Sequence, residues 1–164
     1  MATEVHVAKA IQDCIPHNHC WGCGTLNPLG LQIKSYVEGD ETVCRFQPRP
    51  EHMAGPTHVV NGGILATVVD CHAVCTAIAD AHRAAGVELG ADPLRWAVTA
   101  SLRIDYLAPT PIDRPLELRA RVREAKGRKR VVECSVRSEG RECARAEVIA
   151  VEVPAAWREP QPEG

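Results

Sequence analysis

The sequence predicts an α+β protein in which a curved antiparallel sheet of about six strands wraps around one central helix. Residues 62–84 form a long apolar run, and from Gly63 to Ala79 its only formal charge is Asp70. Four long segments after it alternate apolar and polar residues with a period of two, the mark of strands with one dry and one wet face. Two shorter strand-like segments precede it. A sheet of this size must bury one face, and this helix is the one large apolar object available to cover it.

Taken in order, residues 4–12 are expected to open the chain as a short helix. Residues 13–30, with their His, Cys, Gly, Asn and Pro, read as an ordered loop. Strands follow at LQIKSYV (31–37) and TVCRFQP (42–48), joined by the turn EGDE. A proline- and glycine-containing connection, 49–58, leads into the helix. On a wheel of 100° per residue, Gly63, Ala66, Thr67, Ala73, Val74 and Ala77 share the side of Asp70, and Ile64, Val68, Cys71, Cys75 and Ile78 take the other. Both sides are apolar or small, so this is a buried helix, emerging only at Asp80, His82 and Arg83.

In 95–109, Trp96, Val98, Ala100, Leu102, Ile104 and Tyr106 are expected on one face, with Arg95, Thr99, Ser101, Arg103 and Asp105 on the other. Segment 115–125 sets Leu116, Leu118, Ala120 and Val122 against Glu117, Arg119, Arg121 and Arg123, and 130–138 and 141–153 continue the pattern. The expected organisation is one domain over 31–153, an N-terminal segment 1–30 packed on it, and a flexible tail 154–164.

With 45% apolar and 24% charged residues and a net charge of -2, the chain has the composition of an ordinary globular protein, and neither nucleic acid nor membrane is an expected partner. The local exception is 119–130, RARVREAKGRKR, but aromatics at 4% leave few platforms for base stacking. No run is expected to reach the ~20 apolar residues of a membrane span, and the N-terminus lacks the pattern of a signal peptide. The expected location is the cytoplasm, where the eight cysteines are reduced thiols, mostly filling the core.

Asp70 stands two turns into the helix among small residues. A carboxylate buried there without a partner has a raised pKa, which suits a general base with room for a ligand beside it. A structural aspartate, bonded to the sheet or to a second copy, is the plainer alternative. Gly62 and Gly63 open the helix, where free N–H groups and the dipole favour developing negative charge, and where a missing side chain admits a substrate. A tight turn would use them equally well. Asn61 is a favoured N-cap; its amide can also donate to a ligand but cannot exchange a proton as histidine would.

Three stretches carry a resemblance: NGGILATVVD (61–70), CWGCGTLNPLGL (20–31) and IDYLAPTP (104–111). With the strand layout, they resemble the hotdog fold and within it the PaaI-like acyl-CoA thioesterases of the 4-hydroxybenzoyl-CoA thioesterase superfamily. That family usually has His-Gly-Gly with an aspartate nine positions after the histidine; Asn61 stands in the place of that histidine here. The resemblance implies a homodimer or dimer of dimers with the site between protomers, the helix start of one facing the helix of the other. It implies hydrolysis of a coenzyme A thioester without a cofactor. Asp70 would activate water or attack directly, Gly62 and Gly63 would form the oxyanion site, and Asn61 would touch the thioester oxygen or the water. Thr99 would help position water, although its alternation places it on the wet face. Lys126, Arg128, Lys129 and Arg130, around a glycine turn, would hold the phosphates of coenzyme A, and His58 is a weaker substrate-binding candidate.

Asn61 in place of histidine also fits a non-catalytic acyl-CoA-binding hotdog protein, and a hydratase ranks lower because no Asp/His pair at that spacing is present. Cys14, His17, Cys20 and Cys23 offer four ligands within ten residues. Structural zinc usually joins two separated ligand pairs, so a loop packed by Cys20 and Trp21 under the sheet edge is preferred and no metal is expected.

Overall fold

A computed structural model describes residues 8–159. Strands β1 (Ser35–Glu38), β2 (Glu41–Phe46), β3 (Trp96–Tyr106), β4 (Leu116–Lys126), β5 (Lys129–Ser138) and β6 (Arg141–Val153) form one antiparallel sheet in the order β1-β2-β4-β5-β6-β3. The sheet curves around α1 (Gly62–Ala84). This is the expected hotdog architecture, and it leaves one edge of β3 open.

Asn61 starts α1: its Oδ1 accepts from the N–H groups of Gly63 and Ile64, satisfying donors that a helix start leaves over. Gly86, at φ 65°, ends it, with Gly86 N–H bonded to Arg83 O and Val87 N–H to His82 O, a reversal that glycine adopts without strain. Val68, Val69 and Ala73 of the helix and Leu118, Val132, Val136, Ala144 and Val148 of the sheet are fully buried in one core. By length and apolarity α1 would in fact suffice to cross a membrane, contrary to the reading of the sequence. Of its most apolar stretch, 56% is buried inside the fold, where the sheet packs on it as on the core helix of a globular protein.

Three boundaries differ from the sequence reading. The first strand begins only at Ser35, because the N–H groups of Leu31 and Ile33 go to Trp21 O and Gly22 O. Gln32 turns to φ 56° and donates its Nε2 to Gly24 O and Asn27 O. At the N-terminus a single 3-10 turn, Ile11–Cys14, replaces the described part of the expected helix; residues 1–7 lie outside the described residues. The tail forms a helical turn, α2 (Ala155–Arg158), with the Arg158 guanidinium 5.8 Å above the Trp96 ring, and residues 160–164 lie outside the described residues.

A fourth difference bears on function. The β3–β6 register shifts between Thr99 and Ser101, a bulge that inserts one residue and reverses which side chains face inward. Before it, Ala97 and Thr99 pair with Glu152 and Ala150; after it, Leu102, Ile104 and Tyr106 pair with Val148, Ala146 and Ala144. Thr99 therefore faces α1, and the single alternation expected along this strand is broken at Ala100.

His72 is buried beneath β1 and β2, with Nδ1 2.8 Å from Ser35 Oγ and Nε2 3.4 Å from Thr42 Oγ1. It points away from Asp70, as its place on the wheel requires. Burial pushes its pKa down to about 4 from 6.5. A histidine kept neutral by folding contributes stability that is present above 6.5 and lost as pH falls toward 4, worth about 3 kcal/mol at most. The expected result is a marked fall in unfolding free energy between pH 7 and 4.5, with the His72 ring NMR signal still that of a neutral imidazole at pH 5.5.

Candidate active site

The helix start and the open edge of β3 meet at Tyr106. Its hydroxyl donates to Gly62 O at 2.7 Å, and a Cβ placed on Gly62 would lie 3.4 Å from the tyrosine Cζ and Oη. Gly62 is thus a position where a backbone runs against an aromatic ring. Its N–H has no hydrogen-bond partner among the described residues. Gly63 differs. Its N–H is held by Asn61 Oδ1 at 2.8 Å, so the expected pair of free donors reduces to Gly62 alone. Capping and an oxyanion role compete for the same N–H, and the cap has taken it. The Nδ2 group of Asn61 remains exposed to solvent.

Asp70 lies half-buried on α1, and Thr99 Oγ1 donates to its Oδ1 at 2.5 Å. Burial raises its pKa from the ordinary 3.8, the Thr99 hydrogen bond opposes that, and the nearby Cys23 sulfur adds to it. Oδ2 has no partner among the described residues, so the carboxylate keeps a lone pair for a proton. The bulge brings this pair together by turning Thr99 inward.

Gly62 and Asp70 do not reach each other within one chain. Eight residues of helix separate their Cα atoms by roughly 12 Å along the axis. A thioester carbonyl bound at one is out of range of the other.

The basic turn divides. Arg130 is buried, its Nε 2.9 Å from Asp80 Oδ2 and its Nη1 2.6 Å from Glu152 Oε1. Its partner strand shows why: Arg130 pairs with Ala150 on the inner face, so its side chain must run under the sheet to the end of α1. It is withdrawn from the expected phosphate-binding group. Lys126, Arg128 and Lys129 are exposed and have no ion-pair partner among the described residues. Arg128 also lines a cleft of about 690 Å³ with Arg95 and Arg158; Arg95 stands four residues before Thr99, roughly 13 Å along the extended chain. His58 sits exposed in the loop before α1, anchored through its carbonyl to the Ile112 N–H at 3.1 Å, with no partner for its ring among the described residues.

Tyr106 is the one contributor the sequence reading did not single out. The tyrosine of IDYLAPTP carried the signal, read in the sequence only as part of a strand face and of the family resemblance.

A sequence model of the Thioesterase superfamily matches residues 57–144, more than half of the 164-residue chain. The chain belongs to this superfamily. Asn61, Gly62, Asp70, Thr99 and Tyr106 all lie inside the matched stretch. A thioesterase superfamily protein from Shewanella loihica PV-4 is 38% identical, with a TM-score of 0.64 over 84% of this chain and 96% of its own. The E. coli PaaI protein of the phenylacetic acid degradation operon, 16% identical, shares the fold with a TM-score of 0.61 over 76% of this chain and 81% of its own. Acyl-coenzyme A thioesterase THEM4 of Xenopus laevis is 31% identical over 96 residues, which is 58% of this chain and 37% of that protein. The Bos taurus THEM4 protein is 28% identical over 112 residues, 67% of this chain and 40% of its own length. This thioesterase-superfamily chain therefore spans well under half of the curated relatives it matches.

Proposed function

We propose that the protein hydrolyses acyl-CoA thioesters at a site assembled from two copies of the chain. The observation that carries this reading is Asp70, a half-buried carboxylate with a raised pKa, oriented by Thr99 and facing the open edge of β3. The named activity of the THEM4 relatives gives the substrate class. The roughly 12 Å between Gly62 and Asp70 within one chain supports a second copy seated at that edge, so that the helix start of one protomer faces Asp70 of its partner.

In this arrangement the thioester oxygen lies against the Gly62 N–H and the positive end of α1. Asp70 takes a proton from water, and the resulting hydroxide adds to the carbonyl carbon. Collapse of the tetrahedral intermediate breaks the C–S bond, the leaving sulfur takes the proton held by Asp70, and coenzyme A departs as its thiol with the acyl group as the carboxylic acid. Asn61 offers the intermediate an amide N–H from Nδ2, while its Oδ1 stays in the cap. Thr99 is a positioning residue that leaves Oδ2 of Asp70 for the water. Lys126, Arg128 and Lys129 supply cations for the coenzyme phosphates. A Gly62→Ala substitution places a methyl group against the Tyr106 ring at 3.4 Å and crowds the helix start where the thioester oxygen is held. It is expected to lower turnover roughly 10²-fold while leaving stability unchanged or raised by up to about 1 kcal/mol.

A second reading, an acyl-CoA binder without turnover, is favoured by Asn61, whose amide cannot titrate and whose oxygen is occupied. Free-thiol release from short, long and aromatic acyl-CoAs separates the two. Catalytic turnover of at least one class is expected. Tight binding across the panel with no thiol released would establish the binder instead.

A further inference from the structure

We propose that Cys20, Cys23 and Cys71 form a binding site for one soft divalent metal ion of the Zn²⁺ type. The sulfur atoms of Cys20, Cys23 and Cys71 all lie within 4.8 Å of one another. The Cys20 and Cys71 sulfurs are 3.7 Å apart. That is far beyond a disulfide bond of about 2.05 Å. It matches the edge of a tetrahedron with zinc–sulfur bonds of about 2.3 Å, which is about 3.8 Å. Cys75, one helical turn after Cys71, stands outside this group of three sulfurs, so three thiolates hold the ion and the fourth position of the tetrahedron is left to water.

The ligand set joins a Cys-x2-Cys pair from the loop to Cys71 of α1, so ligands come from two segments far apart in sequence, as in structural zinc sites. It replaces the set read from the sequence. Cys14 lies instead against Gly90, where an added Cβ would meet the Cys14 carbonyl oxygen at 2.2 Å. His17, at φ 54°, is exposed.

The surroundings are built for this geometry. Asn18 is buried and bonds both loop ligands: its Oδ1 accepts from Cys20 N–H at 3.0 Å and its Nδ2 donates to Cys23 Sγ at 3.8 Å. Gly24 N–H donates to Cys20 O at 2.7 Å and closes the loop. Gly22 lets the loop lie directly on the helix, since a Cβ there would stand 2.3 Å from Cys71 Sγ. Side chains that orient metal ligands in this way are a regular part of metal sites. Cys20 is exposed and provides entry, whereas Cys23, Cys71 and Cys75 are buried. An all-sulfur set selects soft or borderline ions over Mg²⁺ or Ca²⁺. Each thiol enters as thiolate, so the ion displaces one proton per ligand into solvent. The bound ion would pin the N-terminal loop to α1 beside Asp70 and rests on no assumption about the reaction.

Metal analysis of the full chain, purified without chelator from zinc-supplemented medium, tests the site. About one zinc per chain is expected, absent from Cys20→Ser and retained in Cys14→Ser. In parallel, Co²⁺ added to metal-free wild type should produce thiolate-to-cobalt charge-transfer bands, a readout independent of whether any variant folds. Three results would each overturn the proposal: no zinc in wild type together with no cobalt bands, a disulfide within the cluster by mass, or unchanged stoichiometry and spectrum in Cys20→Ser.

Discussion

Asp70→Asn is expected to lower kcat for acyl-CoA hydrolysis by roughly 10²–10⁴-fold, the range for loss of a general base, with KM little changed. The fold should tolerate it. Asparagine keeps an oxygen for the Thr99 hydroxyl and removes a charge whose burial opposes ionisation, so thermal stability should match or exceed wild type. The pH profile gives a second signature. A base must be deprotonated to act, so wild-type activity falls as pH drops through the raised pKa of Asp70. Thr99→Val removes the hydrogen bond that lowers that pKa, which should move the acid limb of the profile toward higher pH. A threonine that only packs would leave the limb in place.

Arg130→Ala is expected to destabilise the protein by about 3 kcal/mol, because it strips a buried cation from two carboxylates. For a chain of this size that lowers Tm by about 10 °C. Asp80 and Glu152 are only 13% and 12% exposed at their side chains. They keep Arg83 and Arg95 as other partners, which caps the loss. Per folded molecule, kcat/KM should stay near wild type. A selective rise in KM without loss of stability would return Arg130 to the phosphate-binding group.

Most of the architecture was legible because it rests on periodicity. The apolar run 62–84 and the alternation in 115–125, 130–138 and 141–153 each survive as an element with nearly the same ends. What escaped depends on partners distant in sequence. The bulge at Ala100 has no local mark, yet it decides that Thr99 meets Asp70. Arg130 reads as part of an exposed basic turn until Asp80, 50 residues away, closes on it. The Cys20–Cys23 pair was visible, but Cys71 looks like core filling until the loop folds onto its helix. Gly63 is a different case. Asn61 was recognised as a cap, and a cap oxygen consumes the N–H groups just after it, so the loss of that donor was already implied by the residue beside it.

The central claim is that one reaction centre draws on two chains. Co-expressing Asp70→Asn and Gly62→Ala chains under two different affinity tags, then purifying through both, isolates mixed dimers. Each would hold one doubly altered site and one intact site, so thiol release from the best acyl-CoA should recover to about half of the wild-type rate. Activity no higher than that of the two parent variants would show that each chain works alone and contradict the account.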